Sequence, residues 1–129
     1  MFKKLDMNQV KENPEREERI TMEAIVDCYD SEEQVMGWYY YLADKIVFPF
    51  EARCEEERSI SPLQTGEIIT VLDIADTDDC RCEMLVTIEW NDRSMAVPLA
   101  QLVPVEADDD TEEAISDWRY WVGRGYQLC

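Results

Sequence analysis

Histidine is absent from the 129 residues. That removes the side chain best suited to proton transfer near neutral pH and the commonest nitrogen ligand for metals. Ser-His-Asp and Cys-His nucleophile systems are excluded with it, as are zinc sites that contain histidine. Basic side chains are also scarce: 12 Lys and Arg stand against 30 Asp and Glu, a formal net charge of −18. A surface of that sign repels nucleic acid phosphates and anionic lipid, so neither is an expected partner. No apolar run approaches the length of a membrane span, and no apolar segment follows Lys3-Lys4 to make a signal peptide. A cytoplasmic protein with reduced thiols is the expectation.

Hydrophobic residues nevertheless make up 46% of the chain, close to the globular norm, so a core is expected despite the charge. The length suits one domain, with residues 1–14 as a mobile polar arm and 15–129 as the single folded domain. Cys28, Cys54, Cys80, Cys82 and Cys129 form an odd set. Their C-x-C spacing is not that of a zinc site, and separately placed thiols are the simpler reading. What survives these exclusions is carboxylate chemistry, above all oxygen sites for hard cations. Binding is favoured over catalysis, and no enzymatic activity is expected.

Periodicity separates helical from extended regions. From Glu15 the pattern is helical, and a second helix is predicted from Ser31, with Ser31-Glu32-Glu33-Gln34 as its capping box. It carries Val35, Leu42 and a run of three tyrosines. Those three cannot share one face, so at least one should reach solvent. The helix should stop before Phe48-Pro49. Residues 51–58 read as an edge strand or an extended linker. From Gly66 to Val105 the alternation is that of strands, with Asn91-Asp92 as a tight turn and a break at Pro98–Gln101. A last helix follows Asp108-Asp109-Asp110. The expected fold is α+β: two N-terminal helices, a small SH3-like antiparallel β-barrel and a C-terminal helix.

Acids cluster at the first helix start, at Glu55-Glu56-Glu57, at Asp76-Thr77-Asp78-Asp79 and from Glu106 to Glu113. The first and last are ordinary helix-start charge. The Asp76 cluster is different, because it crowds like charges on a loop between strands, where a cation would relieve them. Neither acidic run is an EF-hand. Counting from Asp76 puts Arg81 at the glycine position and Thr87 at the bidentate Glu position, and counting from Asp108 puts Glu113 at the glycine position. The aromatics of the second and last helices are expected to pack as core, not to form a ligand cage.

Several blocks resemble a known family. Residues 33–45 (EQVMGWYYYLADK), 48–54 (FPFEARC), 58–63 (RSISPL), 96–99 (AVPL) and 114–121 (AISDWRYW) are similar to the cyanobacterial calcium-binding protein family, CcbP. The resemblance runs from about Glu18 to Leu128, and the arm at residues 1–14 has no counterpart in it. It implies a cytoplasmic, non-EF-hand protein that binds Ca2+ reversibly and acts as a calcium buffer or signal protein, linked in cyanobacteria to heterocyst differentiation. Asp44 is the position carried over first as a metal ligand. Asp76, Asp78 and Asp79 match the corresponding loop region. A weaker second site would draw on Asp27, Asp30, Glu55 and Glu56. The competing reading is an acidic decoy that occupies a basic protein surface.

Overall fold

The computed structural model of the chain describes residues 11–76, 80 and 83–128. Helix α1 (Pro14–Arg19) begins where Asn13 accepts a hydrogen bond from the Arg16 amide and proline supplies the preset backbone of a first helical residue. It runs directly into a π-helical turn (Ile20–Ala24), which buries Ile20 and Ala24. Helix α2 (Ser31–Lys45) buries Val35, Trp38, Tyr41 and Leu42. Its cap lies one residue earlier than the sequence suggests. Asp30, not Ser31, is the cap and accepts from the Glu33 amide, while Glu33 reaches back to the Tyr29 amide. The aspartate carboxylate is the stronger acceptor for an orphan amide, and it displaces the neighbouring serine from that role.

Five antiparallel strands follow: β1 (Phe50–Cys54), β2 (Ile68–Ile74), β3 (Leu85–Trp90), β4 (Arg93–Pro98) and β5 (Leu102–Val105). Their order is β4-β3-β2-β1-β5. Asn91 and Asp92, both at positive φ, make the two-residue turn between β3 and β4. Strands β4 and β5 lie at opposite ends of the hydrogen-bonded order, yet only the 3-10 turn Leu99–Gln101 joins them. In a flat sheet four strand spacings would separate those edges by about 19 Å. The connection spans at most about 14 Å even when extended. The sheet must therefore curl, and the expected SH3-like open barrel results.

Strand β1 corrects the sequence reading of residues 51–58. It is neither an edge nor a linker, because it pairs with β2 through Phe50–Arg53 and with β5 through Glu51–Cys54. Its inward positions are Phe50, Ala52 and Cys54, and its charged outward positions had obscured a short buried alternation.

Helix α3 (Asp109–Gly123) completes the core. Trp38 of α2 meets Trp118 edge-on at 5.0 Å and Trp121 at 5.5 Å, so the tryptophans pack helix on helix as core. Tyr41 is buried as well, and Tyr40 is the tyrosine that reaches solvent. Sheet and helices share one hydrophobic cluster. Among the described residues no helix is long and apolar enough to cross a membrane.

Candidate metal centre

Helix α2 and the start of the β2–β3 loop carry Asp44 and Asp76, the two first-rank candidate ligands that the structure describes. The end of α2 is set by Ile46, which turns extended after its amide bonds the Leu42 carbonyl. The next amide, Val47, donates to the Thr111 hydroxyl at 2.9 Å and holds the chain against the start of α3. A helix terminus of this kind leaves carbonyl oxygens and the negative end of the backbone dipoles facing outward.

Asp44 stands in that last turn, exposed, with no ion pair or hydrogen bond among the described residues. The adjacent cation is committed elsewhere: Lys45 lies 3.8 Å from both Glu23 and Glu113. Asp44 lines a groove of about 580 Å³ between the π-helical turn and α2, together with Glu23, Val26, Cys28 and Tyr40. The groove is narrow at Gly37, where a Cβ would overlap the Ala24 carbonyl oxygen. Burial, then the charges of Glu33, Asp27 and Asp30, push the Cys28 thiol above its ordinary pKa, so it is a poor thiolate ligand.

Asp76, at the start of the β2–β3 loop, lies near another side of the same helix. Burial raises the pKa of Tyr39, and next in order come the charges of Asp76, Cys80 and Asp73. The loop therefore starts beside Tyr39. Tyr39 and Asp44 are five residues apart, about 140° around a helix, so Asp44 and Asp76 flank α2 from different faces. Asp76 is exposed and, like Asp44, makes no ion pair among the described residues. Asp78 and Asp79 lie outside the described residues.

The remaining nominated acids have other duties or stand apart. Asp30 caps α2, and Glu55 is paired with Arg53 at 2.6 Å. Asp27 and Glu56 are exposed on separate segments, with Asp27 in a left-handed turn. Among the described residues no three Asp, Glu or Cys side chains converge tightly enough to hold a metal. Cys54 and Cys80 are buried, Cys54 beside Gln101 and Cys80 accepting from the Leu85 amide. Cys82 and Cys129 lie outside the described residues.

An exposed carboxylate next to helix-end carbonyls, as at Asp44, suits a hard cation that takes oxygen ligands in tolerant geometry. The sequence model of the calcium-binding CcbP family matches residues 18–122. The chain belongs to that family. Two solved structures agree with the assignment. CcbP of Anabaena is 39% identical with a TM-score of 0.80, covering 91% of this chain and 96% of that one. A calcium binding protein in its calcium-binding form is 38% identical with a TM-score of 0.78, covering 88% and 94%. A comparison with curated proteins finds no match. The ion of this CcbP-family chain is accordingly Ca2+, and the fold of helices around a curled five-stranded sheet is that of its solved relatives.

Sequence reasoning missed one residue of structural weight. Asp117 is fully buried and accepts from Arg16 (2.7 Å), from Arg19 twice (2.7 and 2.9 Å) and from Tyr41 (2.8 Å). It fastens α1 and α2 to α3. The signal was present: Asp117 follows Ala114 by three residues and precedes Trp121 by four, which places an acid on the apolar stripe.

Proposed function

We propose that the protein binds calcium reversibly through a non-EF-hand carboxylate site formed by Asp44 at the end of α2 and by Asp76, Asp78 and Asp79 of the β2–β3 loop. The observation that carries this reading is that Asp44 and Asp76 flank one helix as exposed carboxylates with no ion pair among the described residues. Calcium supplies positive charge to oxygens that otherwise repel one another, so its binding draws the loop toward the helix end. Asp44 adds the helix-end field, and the loop aspartates add short side chains whose oxygens stay near their own backbone carbonyls. The weaker site involving Asp27, Asp30, Glu55 and Glu56 is a second-rank proposal, since capping and pairing already occupy Asp30 and Glu55.

In the cell this makes the protein a cytoplasmic calcium buffer or signal protein, with the heterocyst calcium signal as its setting in cyanobacteria. It is a binding protein and not an enzyme. The net charge of −18 also favours the second reading, an acidic decoy for a basic protein surface. One experiment separates the two: calorimetric titration of chelator-stripped protein with calcium, repeated in excess magnesium and with Asp44→Asn. Saturable heat that persists in magnesium and weakens about tenfold or more in the variant supports the site. Heat abolished equally by magnesium or by salt transfers the first place to the decoy.

A further inference from the structure

Cations are rare here, and three of the 12 surround a single cavity. The cavity, about 530 Å³, lies between the segment leading into α1, one face of α3 and the 3-10 turn before β5. Lys11, Arg16 and Arg119 line it, with the Ser116 hydroxyl and the Glu56 carboxylate. Arg16 is already committed, since it bonds Asp117 at 2.7 Å and lies over the Tyr120 ring at 5.7 Å. The other two cations are not. Lys11 makes no ion pair or hydrogen bond among the described residues. Arg119 is held only through its Nε, which donates to the Ala100 carbonyl at 3.1 Å. Among the described residues its two Nη groups have no acceptor, and no acid pairs with it.

A guanidinium anchored at one nitrogen, with its remaining donors free, is a preorganised fork for a planar or tetrahedral oxyanion. An ammonium and a hydroxyl in the same cavity add donors without adding an acceptor charge. Glu56 is the one acid among the described lining residues and works against an anion. The cavity is large enough for a ligand of several heavy atoms beyond its oxyanion group. At physiological ionic strength charges more than about 8 Å away are largely screened, so the distant acids of the chain do not cancel cations in direct contact.

We propose that this cavity binds a small oxyanion-bearing metabolite, held by Arg119 and Lys11 through its phosphate or carboxylate group. The site is separate from Asp44 and the β2–β3 loop, and it does not depend on the calcium reading.

The test is an NMR titration of calcium-free, uniformly 15N-labelled protein near physiological salt, with inorganic phosphate in one arm and tricarballylate in the other. The expected result is saturable shifts at the Ser116, Arg119 and Gly123 amides and at the Arg119 Nε–H. Arg119→Gln and Lys11→Gln should each weaken binding by about fivefold to tenfold, and Glu56→Gln should strengthen it. The arm that saturates at the lower concentration identifies the phosphate or the carboxylate as the recognised group. Lys11 bonds no other described residue, so its variant separates lost binding from lost structure. Non-saturating drift in both arms, or identical curves for the parent and the three variants, would overturn the proposal.

Discussion

At the scale of single residues, Asp117 is the least replaceable polar group described. Replacing it with alanine leaves two guanidinium groups and the Tyr41 hydroxyl facing a buried gap. Breaking a buried ion pair from one side costs about 3–5 kcal/mol. Urea denaturation of Asp117→Ala should show a loss of that size. The milder Tyr41→Phe should lose about 1–2 kcal/mol, one hydrogen bond to a buried acceptor. Tyr41 also gives a pH signature. Burial, then the hydrogen bond to Asp117, holds its folded pKa far above the ordinary tyrosine value. A raised folded pKa contributes stability that is complete below the unfolded value and lost as pH rises toward the folded one. The parent should therefore lose stability from about pH 10 upward, where unfolded tyrosine ionises, and Tyr41→Phe should show a shallower alkaline decline. Gly37 is constrained by space instead of charge. Gly37→Ala places a methyl against the Ala24 carbonyl oxygen, which is backbone and yields little. Overpacking of this kind costs about 1–3 kcal/mol, to be read from the same denaturation curves.

At the scale of elements, the caps govern where the helices begin and so where the proposed ligand Asp44 sits. Asp108 accepts from the Thr111 amide at 2.9 Å, and Thr111 in turn receives the Val47 amide that ends the α2 segment. The hydrogen bonding at Thr111 lowers the Asp108 pKa below the ordinary carboxylate value. A depressed folded pKa contributes stability that is present above the unfolded value and lost as pH falls through the folded one. Asp108→Ala should thus melt at a lower temperature than the parent at pH 7. The gap should close progressively below about pH 4, as the parent carboxylate is protonated. A gap that stays constant down to pH 2 would mean the cap does not act through its charge. Element boundaries were legible to within a residue or two wherever caps and alternation were clear. The one-residue shift at Asp30 arose because two adjacent residue types both make good caps. Strand β1 was obscured because Glu51 and Arg53 mask three inward positions in a five-residue segment.

At the scale of the whole molecule, charge sets the response to calcium. A protein of net charge −18 resists compaction through self-repulsion, and calcium bound to the folded state relieves part of it. Ligand that binds only the folded form stabilises by about 2.7 kcal/mol at a hundred times its dissociation constant. The melting temperature should climb continuously with free calcium. In Asp44→Asn the same climb should need a higher concentration, while equal magnesium leaves the midpoint almost unmoved. Scanning calorimetry on both proteins checks this, and a magnesium curve superimposed on the calcium curve would remove the dedicated site.

The sequence by itself determined the acidic, histidine-free chemistry that leaves carboxylates and a hard cation, the strand alternation from Gly66 to Val105, and the family. These are properties of composition and of neighbours along the chain. Only the tertiary structure decided the rest. It put β1 inside the sheet, curled that sheet through a three-residue turn, and set Asp44 and Asp76 on two flanks of α2. It also buried Asp117 under two arginines and gathered Lys11 with Arg119 around one cavity. Each of these joins residues more than 25 apart in the chain, or depends on which strand edges meet. Local propensity carries no information about such pairings, because they are chosen by the packing of a shared core.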